Sequence, residues 1–252
     1  MQPILQVIRV SKTFGTVVAA DNLNVSVSPG EVIGIVGANG AGKTVFVNII
    51  TGYEKPSSGT ILFEGSDITA RAPRQITRLG ISRSFQVSQV FQSMTVRDNL
   101  LLAVSISRNS GRSLLGGIRE RHLLQAADEL LERFGLTADG GRPAHALSQG
   151  ARKLLDIAMA FAGRPRVLLL DEPTSGISTE EKFDFATRVM GELARENATV
   201  FIVEHDMDII QRFVPRVLAF AQGRIICDAA PQQALRDPDV IHQVLGTDHA
   251  LA

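Results

Sequence analysis

The sequence predicts an α/β fold with a mainly parallel central sheet and a helical segment inserted into it. Apolar runs bounded by Gly or Pro alternate with helical patterns along most of the 252 residues. Strands that alternate with helices pair in parallel, because each helix carries the chain back across the sheet. One stretch, from about Val87 to Phe161, breaks this alternation and is rich in helical patterns. We therefore expect a single α/β domain that contains a helical subdomain.

Each predicted element follows from a local pattern. Apolar or alternating runs predict strands at Ile4–Val10, Leu23–Val27, Val32–Val36, Ile81–Phe85, Val167–Leu170, Thr199–Val203 and Val217–Ala221. Helical periodicity predicts helices at Lys43–Ile50, Arg119–Arg133, Arg152–Phe161, Thr179–Glu196 and Met207–Phe213. The Gln222-Gly223 pair between apolar runs predicts a hairpin, and the Gly, Ser and Arg segment Ser105–Gly117 predicts an exposed loop.

Composition limits the classes of function. Twenty-six basic residues balance twenty-six acidic ones, so no excess charge attracts a polyanion, and nucleic acid is not an expected partner. The single cysteine, Cys227, cannot form an internal disulfide, which fits a reducing cytoplasm. No stretch approaches the roughly 18 apolar residues of a spanning helix, and the N-terminus does not resemble a signal peptide. We expect a globular chain that is not embedded in a membrane.

A glycine-rich segment lies between the third predicted strand and the first predicted helix. It reads Gly37-Ala38-Asn39-Gly40-Ala41-Gly42-Lys43-Thr44 and is followed by Val45. This is the sequence and the context of a P-loop, whose backbone N–H groups surround phosphate oxygens at the positive end of a helix dipole. Lys43 would then contact the β- and γ-phosphates, and the Thr44 hydroxyl would ligate Mg²⁺. The segment predicts ATP with Mg²⁺ as the ligand.

Two carboxylates follow the apolar strand Val167–Leu170. A buried strand that ends in Asp171 brings this residue to the carboxyl edge of the sheet, where ligands of open α/β sheets bind. Asp171 would hold Mg²⁺ through its water shell, and Glu172 would polarise the attacking water as a general base. Taken alone, a strand followed by Asp-Glu also fits a surface loop.

Three further polar positions are candidates. His205 and Gln86 each follow a predicted strand, and the Gln86 amide could contact both Mg²⁺ and the attacking water. Ser148 in Leu147-Ser148-Gln149-Gly150-Ala151 has the position of a helix N-cap. Taken alone, each position also fits a purely structural role. His205 would be a hydrogen-bonded histidine at a strand end, Gln86 an ordinary loop residue, and Ser148 only the cap of a helix.

In this order and spacing, the P-loop, Gln86, Leu147–Ala151, Asp171-Glu172 and His205 resemble the ABC ATPase family over essentially the whole chain. The resemblance implies a catalytic core of residues 1–86 and 162–252 with an antiparallel β subdomain, and a helical subdomain of residues 87–161. It also implies a head-to-tail dimer in which Ser148 and Gly150 contact the nucleotide of the partner subunit. Phe14 matches the adenine-stacking aromatic residue of the family, with a plain core residue as the alternative.

Shorter segments are similar to the ATPases of branched-chain amino-acid importers. They are Thr51–Pro56, Arg83–Gln86, Met94–Asn99, Asp237–Val240 and Leu245-Gly246. This similarity implies a heterodimer with a second, related ATPase, two transmembrane permease subunits and, indirectly, an extracytoplasmic solute-binding protein. The chain would then lie peripherally on the cytoplasmic side of the plasma membrane.

The chain departs from the family pattern at Val45, Gln149, Ala151 and Ser178, where Thr or Ser, Gly, Gln and Asp are usual. Ala151 and Ser178 belong to segments that face the partner subunit in the family. The alternatives are therefore a regulatory subunit without hydrolysis, an importer ATPase for another small solute such as urea or amides, and an ATP-gated factor outside transport. Retention of Glu172 and His205 argues against the first.

Overall fold

The computed structural model describes residues 2–84, 89–108 and 121–245. The chain forms two compact units, one of residues 1–79 with 199–252 and one of residues 80–198. They are called the P-loop unit and the helical unit below. The predicted division into a catalytic core of residues 1–86 with 162–252 and a helical subdomain of residues 87–161 stays a prediction.

The P-loop unit contains two sheets. Its strands are β1 Leu5–Phe14, β2 Val17–Val27, β3 Val32–Gly37, β4 Ser58–Phe63, β5 Ser66–Asp67, β8 Thr199–Val203, β9 Arg216–Ala221 and β10 Arg224–Ala229. The order β2-β1-β4-β5 forms an antiparallel sheet, and the order β10-β9-β3-β8 forms part of a second sheet. In the latter, β3 pairs in parallel with both β8 and β9. The predicted mainly parallel core with an antiparallel β subdomain is confirmed.

The helices of the P-loop unit are α1 Lys43–Ile50, α2 Pro73–Leu79, α7 Met207–Phe213, α8 Pro231–Ala234 and α9 Pro238–Val240, followed by a π-helix at Ile241–Leu245. Phe46 of α1 is fully buried against the sheet. Its ring centroid lies 6.3 Å from that of Phe201 and 5.2 Å from that of Phe220. Burying an aromatic ring is worth several kcal/mol, about 3 to 5 when Phe is cut to Ala. This contact fixes α1, and with it the end of the glycine-rich loop.

The helical unit contains two parallel strands, β6 Ile81–Arg83 and β7 Val167–Asp171. Its helices are α3 Val96–Arg108, α4 Arg121–Arg133, α5 Gln149–Phe161 and α6 Thr179–Arg195. Phe134 and Phe161 are buried with ring centroids 5.9 Å apart. Arg133 of α4 also forms ion pairs with Glu192 and Glu196, both at 2.9 Å. These contacts join the helices into one packed body, and the predicted inserted helical segment is confirmed.

Two local predictions have different outcomes. Gln222 and Gly223 both have positive φ, 49° and 78°, which is the type I′ geometry of a two-residue turn between β9 and β10, so the predicted hairpin is confirmed. The predicted exposed loop at Ser105–Gly117 is wrong at its start, because α3 continues to Arg108 and Ser105 is fully buried. Packing of α3 overrides the weak helix propensity of serine; residues 109–117 lie outside the described residues.

No helix in the described part of the chain is long and apolar enough to cross a membrane.

Candidate nucleotide-binding site

The glycine-rich loop connects β3 to α1 at the carboxyl end of β3. Gly40 and Gly42 have φ of +79° and +104°, a backbone region that L-residues with side chains rarely occupy. A Cβ on Gly42 would also lie 2.6 Å from the carbonyl oxygen of Ala19 in β2. Only glycine therefore fits this position, which packs the loop closely against β2.

Lys43 is buried, and its ammonium group lies inside this loop. Nζ donates hydrogen bonds to the carbonyl oxygens of Gly37 at 2.5 Å and Ala38 at 2.9 Å. A buried cation requires such partners, because its desolvation is otherwise costly. The next residue, Thr44, is exposed, and the first turn of α1 carries no acidic residue that would repel an anion. A cation, backbone N–H groups at a helix start and an exposed hydroxyl form a donor set that fits a polyphosphate with Mg²⁺.

His205 lies at the same sheet edge as the glycine-rich loop. In the parallel pair β3–β8, Ile35 is opposite Val203, so both strands end at neighbouring positions. The His205 side chain is exposed, and its backbone N–H donates to Oε2 of Glu204 at 3.2 Å. Asp206 caps α7 by accepting the N–H groups of Asp208 and Ile209, as its position before the helix predicts.

Phe14 ends β1 at the hairpin that leads into β2, and it is 45% exposed. Nζ of Lys12 lies over one face of the ring, 4.7 Å from the ring centroid. The alternative of a core residue is therefore wrong, because a buried phenylalanine would not keep this exposure. Val17 and Val18, which directly follow the turn, are exposed as well, at 64% and 51%. The hairpin offers an apolar surface on which a flat ring can stack.

Asp171 ends the buried strand β7 in the helical unit. Its Oδ2 accepts a hydrogen bond from Nη2 of Arg83 at 2.5 Å, and the two side chains are only 12% and 9% exposed. Arg83 ends β6, which pairs in parallel with β7, and Arg83 lies opposite Leu169. This partner was missed by the sequence analysis. Arg83 does belong to the segment Arg83–Gln86 that is similar to the importer ATPases. Its pairing with Asp171 was not visible, because the two residues are far apart in the sequence.

Glu172 follows Asp171 in a left-handed backbone conformation with φ of +48°. Its carbonyl oxygen accepts hydrogen bonds from Nζ of Lys153 at 2.6 Å and from the backbone N–H of Ser175 at 3.2 Å. Non-glycine residues in this region are uncommon and concentrate at functional sites. The Asp171–Glu172 turn is thus hydrogen-bonded to two other elements, through Lys153 of α5 and Arg83 of β6.

The Ser148 segment forms an exposed helix start. Ser148 caps α5, with its Oγ accepting the N–H of Ala151 at 3.2 Å, so the predicted N-cap is confirmed. The helix begins at Gln149 instead of the predicted Arg152, because capped residues of the first turn carry no hydrophobic periodicity. A Cβ on Gly150 would meet only Ile177 Cδ1, at 4.0 Å. This helix start is accessible to a ligand.

Two of the four departures from the family pattern, Ser178 and Gln149, make identifiable local contacts. Ser178 caps α6 by accepting the N–H of Glu181, and its hydroxyl donates to Glu181 Oε2 at 3.2 Å. Gln149 packs against Gly176, where φ is +74° and an added Cβ would lie 2.0 Å from Gln149 Nε2. The positive φ of Gly176 disfavours a larger residue at this position, whereas the exposed Gln149 side chain can move aside.

The structure brings the predicted residues together in two groups. In the P-loop unit, the loop from Gly37 to Val45 and His205 follow the paired strands β3 and β8, and Phe14 ends β1 of the antiparallel sheet. In the helical unit, Asp171 and Glu172 share a turn that Lys153 joins to the helix capped by Ser148. Gln86 lies outside the described residues.

A P-loop on a mainly parallel sheet, combined with an inserted helical segment, defines a P-loop ATPase of the cassette type. The sequence model of the ABC transporter family matches residues 20–175, and the chain belongs to this family. The predicted family, fold class and ATPase character are confirmed.

Similar proteins narrow the relationship within the family. The chain is 34% identical to the high-affinity branched-chain amino acid transport ATP-binding protein LivG of Escherichia coli, over 97% of this chain and 98% of that one. It is 33% identical to the corresponding protein BraF of Pseudomonas aeruginosa, over the same shares. Among solved structures, an ATP-binding cassette of an ABC transporter in its ADP conformation matches with a TM-score of 0.83 and 30% identity, over 96% of this chain and 98% of that chain.

Proposed function

We propose that this chain binds and hydrolyses ATP to energise an importer of branched-chain or other hydrophobic amino acids, at the cytoplasmic face of the plasma membrane. The observation that carries the proposal is the buried Lys43 ammonium inside the glycine-rich loop. The choice of solute is supported by the 34% identity with LivG along 97% of the chain.

Each predicted residue has a role in nucleotide binding. Phe14 stacks on the adenine, and the backbone from Gly37 to Val45 surrounds the phosphates. Lys43 meets the β- and γ-phosphates. The oxygens of Thr44, Gln86 and Asp171 are of the hard type that Mg²⁺ prefers, and they would hold the ion, which would supply charge neutralisation at the phosphates. The guanidinium of Arg83 donates to Oδ2 of Asp171, so Oδ1 would be the oxygen that accepts hydrogen bonds from water bound to the ion.

Hydrolysis requires a water molecule oriented towards the γ-phosphorus. Glu172 accepts a proton from that water as the new P–O bond forms and the bond to the β-phosphate oxygen breaks, giving ADP and phosphate. Gln86 orients the water, and His205 hydrogen-bonds the γ-phosphate. His205 is exposed at the sheet edge where the glycine-rich loop begins, which supports this role.

The active form pairs this chain with a second, related ATPase. Ser148 and Gly150 contact the nucleotide of that partner subunit, and the exposed start of α5 supports this contact. Two transmembrane permease subunits bind near residues 86–96. Here Asn99 is fully buried and fixes the backbone of Phe91, whose side chain is 50% exposed. An extracytoplasmic solute-binding protein delivers the solute to the permeases.

The variant Glu172→Gln tests hydrolysis directly. General-base assistance is worth about 10² to 10⁴ in rate, so turnover in the assembled complex falls by this factor while ATP affinity is retained. Steady-state phosphate release and equilibrium binding of a fluorescent ATP analogue measure the two quantities. Normal turnover in this variant would remove Glu172 from the mechanism.

The partners and the solute are tested by purifying the chain from membranes with the proteins that accompany it. The isolated chain is expected to be mostly monomeric by light scattering, with slow ATPase activity that rises in the complex. Stimulation of the reconstituted complex by leucine, isoleucine or valine with the solute-binding protein supports the proposed solute, whereas stimulation by urea or amides alone assigns another importer. A fully active homodimer contradicts the heterodimer, and co-purification with ribosomes in place of permeases contradicts transport.

A further inference from the structure

Helix α5 buries two charged residues one turn apart. Lys153 and Asp156 are each only 7% exposed, although both carry side chains that are costly to remove from water. Three residues apart on a helix, they lie on the same face. Neither is among the residues assigned above to nucleotide binding or hydrolysis.

Both side chains hold backbone groups next to proposed site residues. Lys153 Nζ donates to the carbonyl oxygen of Glu172 at 2.6 Å. Asp156 Oδ1 accepts the backbone N–H of Gln89 at 2.8 Å, and Gln89 is the first described residue after the segment that contains Gln86. One helix therefore holds the backbone at Glu172 and at Gln89.

Of the two backbone segments held by α5, the one at Glu172 has the less favourable backbone conformation. With φ of +48°, the residue occupies a conformation that costs about 1 kcal/mol or more and persists only when its surroundings enforce it. The Lys153 ammonium and the Ser175 N–H both converge on the Glu172 carbonyl oxygen. Because φ and ψ set both the carbonyl direction and the direction of the Cα–Cβ bond, fixing the carbonyl also fixes the point from which the Glu172 side chain starts, which restricts where its carboxylate can lie.

We propose that Lys153 is a positioning residue for hydrolysis, which aims the Glu172 carboxylate by holding the Glu172 carbonyl from α5. The inference rests on the proposed role of Glu172. Lys153 touches neither nucleotide nor water in this role.

The test is a double-mutant cycle in the complete transporter complex. Lys153→Met keeps the length and burial of the side chain but removes the donor, and a misplacement of about 1 Å at a reacting group costs up to roughly 10²-fold in rate. We expect kcat to fall about 10- to 100-fold with the affinity for ATP unchanged, and Lys153→Arg, which retains a donor, to recover part of the loss. In a Glu172→Gln background, the same Lys153→Met change should alter single-turnover hydrolysis less than about threefold.

The controls separate this proposal from the proposed function. Lys182→Met removes a lysine of α6 that contacts the ring of Phe183, and it should leave kcat unchanged. Normal turnover in Lys153→Met, with Glu172→Gln strongly impaired, overturns the positioning role alone. Normal turnover in Glu172→Gln overturns the proposed function itself. An equal loss from Lys153→Met in both backgrounds shows that Lys153 acts elsewhere, and contradicts the inference.

Stability is measured alongside, because Lys153 is buried. If Lys153→Met does not fold, Lys153→Gln and Lys153→Arg provide the comparison, since both keep a polar donor with a different reach. A rate loss that follows donor reach in folded variants with normal ATP affinity supports positioning. Equal rates in Lys153→Gln, Lys153→Arg and the unaltered chain contradict it.

Discussion

Two buried lysines hold backbone carbonyls in the two units, and they differ in how far along the chain they reach. Lys43 donates to Gly37 and Ala38, six and five residues before it. Lys153 donates to Glu172, nineteen residues after it, and the Asp171 partner Arg83 lies 88 residues away. The Lys43 contacts of the P-loop are thus formed within one segment of the chain, whereas the Asp171–Glu172 turn is held by contacts with two other elements. Substitutions should therefore affect binding in the first region and stability or geometry in the second.

The largest effect is expected from Lys43→Ala. Hydrogen bonds from a charged donor are worth about 1.5 to 3 kcal/mol each, so removing an ammonium that contacts two phosphates should weaken ATP binding by about 100-fold or more. The unfolding free energy should change little, because the lost hydrogen bonds lie within the loop and the variant no longer buries a charge. Titration of a fluorescent ATP analogue and urea unfolding measure both quantities. Near-normal ATPase activity in the folded variant would contradict the P-loop assignment.

Arg83→Met should lower the unfolding free energy, in contrast to Lys43→Ala, which should leave it nearly unchanged. Removing one partner of a buried ion pair leaves an uncompensated charge and costs about 3 to 5 kcal/mol. We expect the unfolding free energy in the absence of Mg²⁺ and nucleotide to fall by about this amount, as measured by urea unfolding.

The matched control is Arg83→Met combined with Asp171→Asn, in which no charge is left unpaired. The double variant should be more stable than Arg83→Met alone. If Arg83→Met is as stable as the unaltered chain, the Asp171 turn does not depend on β6, and the contrast between the two regions fails at this point.

The smallest effect is expected from Phe14→Ala. The ring is 45% exposed, so its loss should hardly change stability, while the loss of stacking should weaken nucleotide binding by about 1 kcal/mol, or roughly fivefold. Because a ring face does not read the edge of a base, ATP and GTP should be affected alike. Val18→Ala, at a 51% exposed position of the same hairpin, serves as the control. Unchanged affinity for both nucleotides would remove Phe14 from the binding site.

The sequence by itself determined the features whose parts are adjacent in the chain. The P-loop, the N-cap Ser148, the cap Asp206 and the turn Gln222-Gly223 each involve hydrogen bonds across a few residues, so their patterns are visible in the sequence. Buried strands such as Val167–Asp171 were visible because both faces are apolar. Short strands and helices with weaker patterns, including β4, β5 and α2, were missed because packing and pairing form them.

Tertiary structure alone decided which side chains support the proposed catalytic turn. No local pattern joins Arg83 to Asp171, because their contact follows from the pairing of β6 with β7 and from burial that removes competing water. No local pattern joins Lys153 to Glu172 either, since the packing of α5 brings the ammonium to that carbonyl. Phe14 is a similar case, because its exposure depends on the hairpin to which it belongs. Functional residues that are adjacent in the chain can be predicted from sequence. The residues that position them cannot, because the packing of elements distant in the sequence brings them into contact.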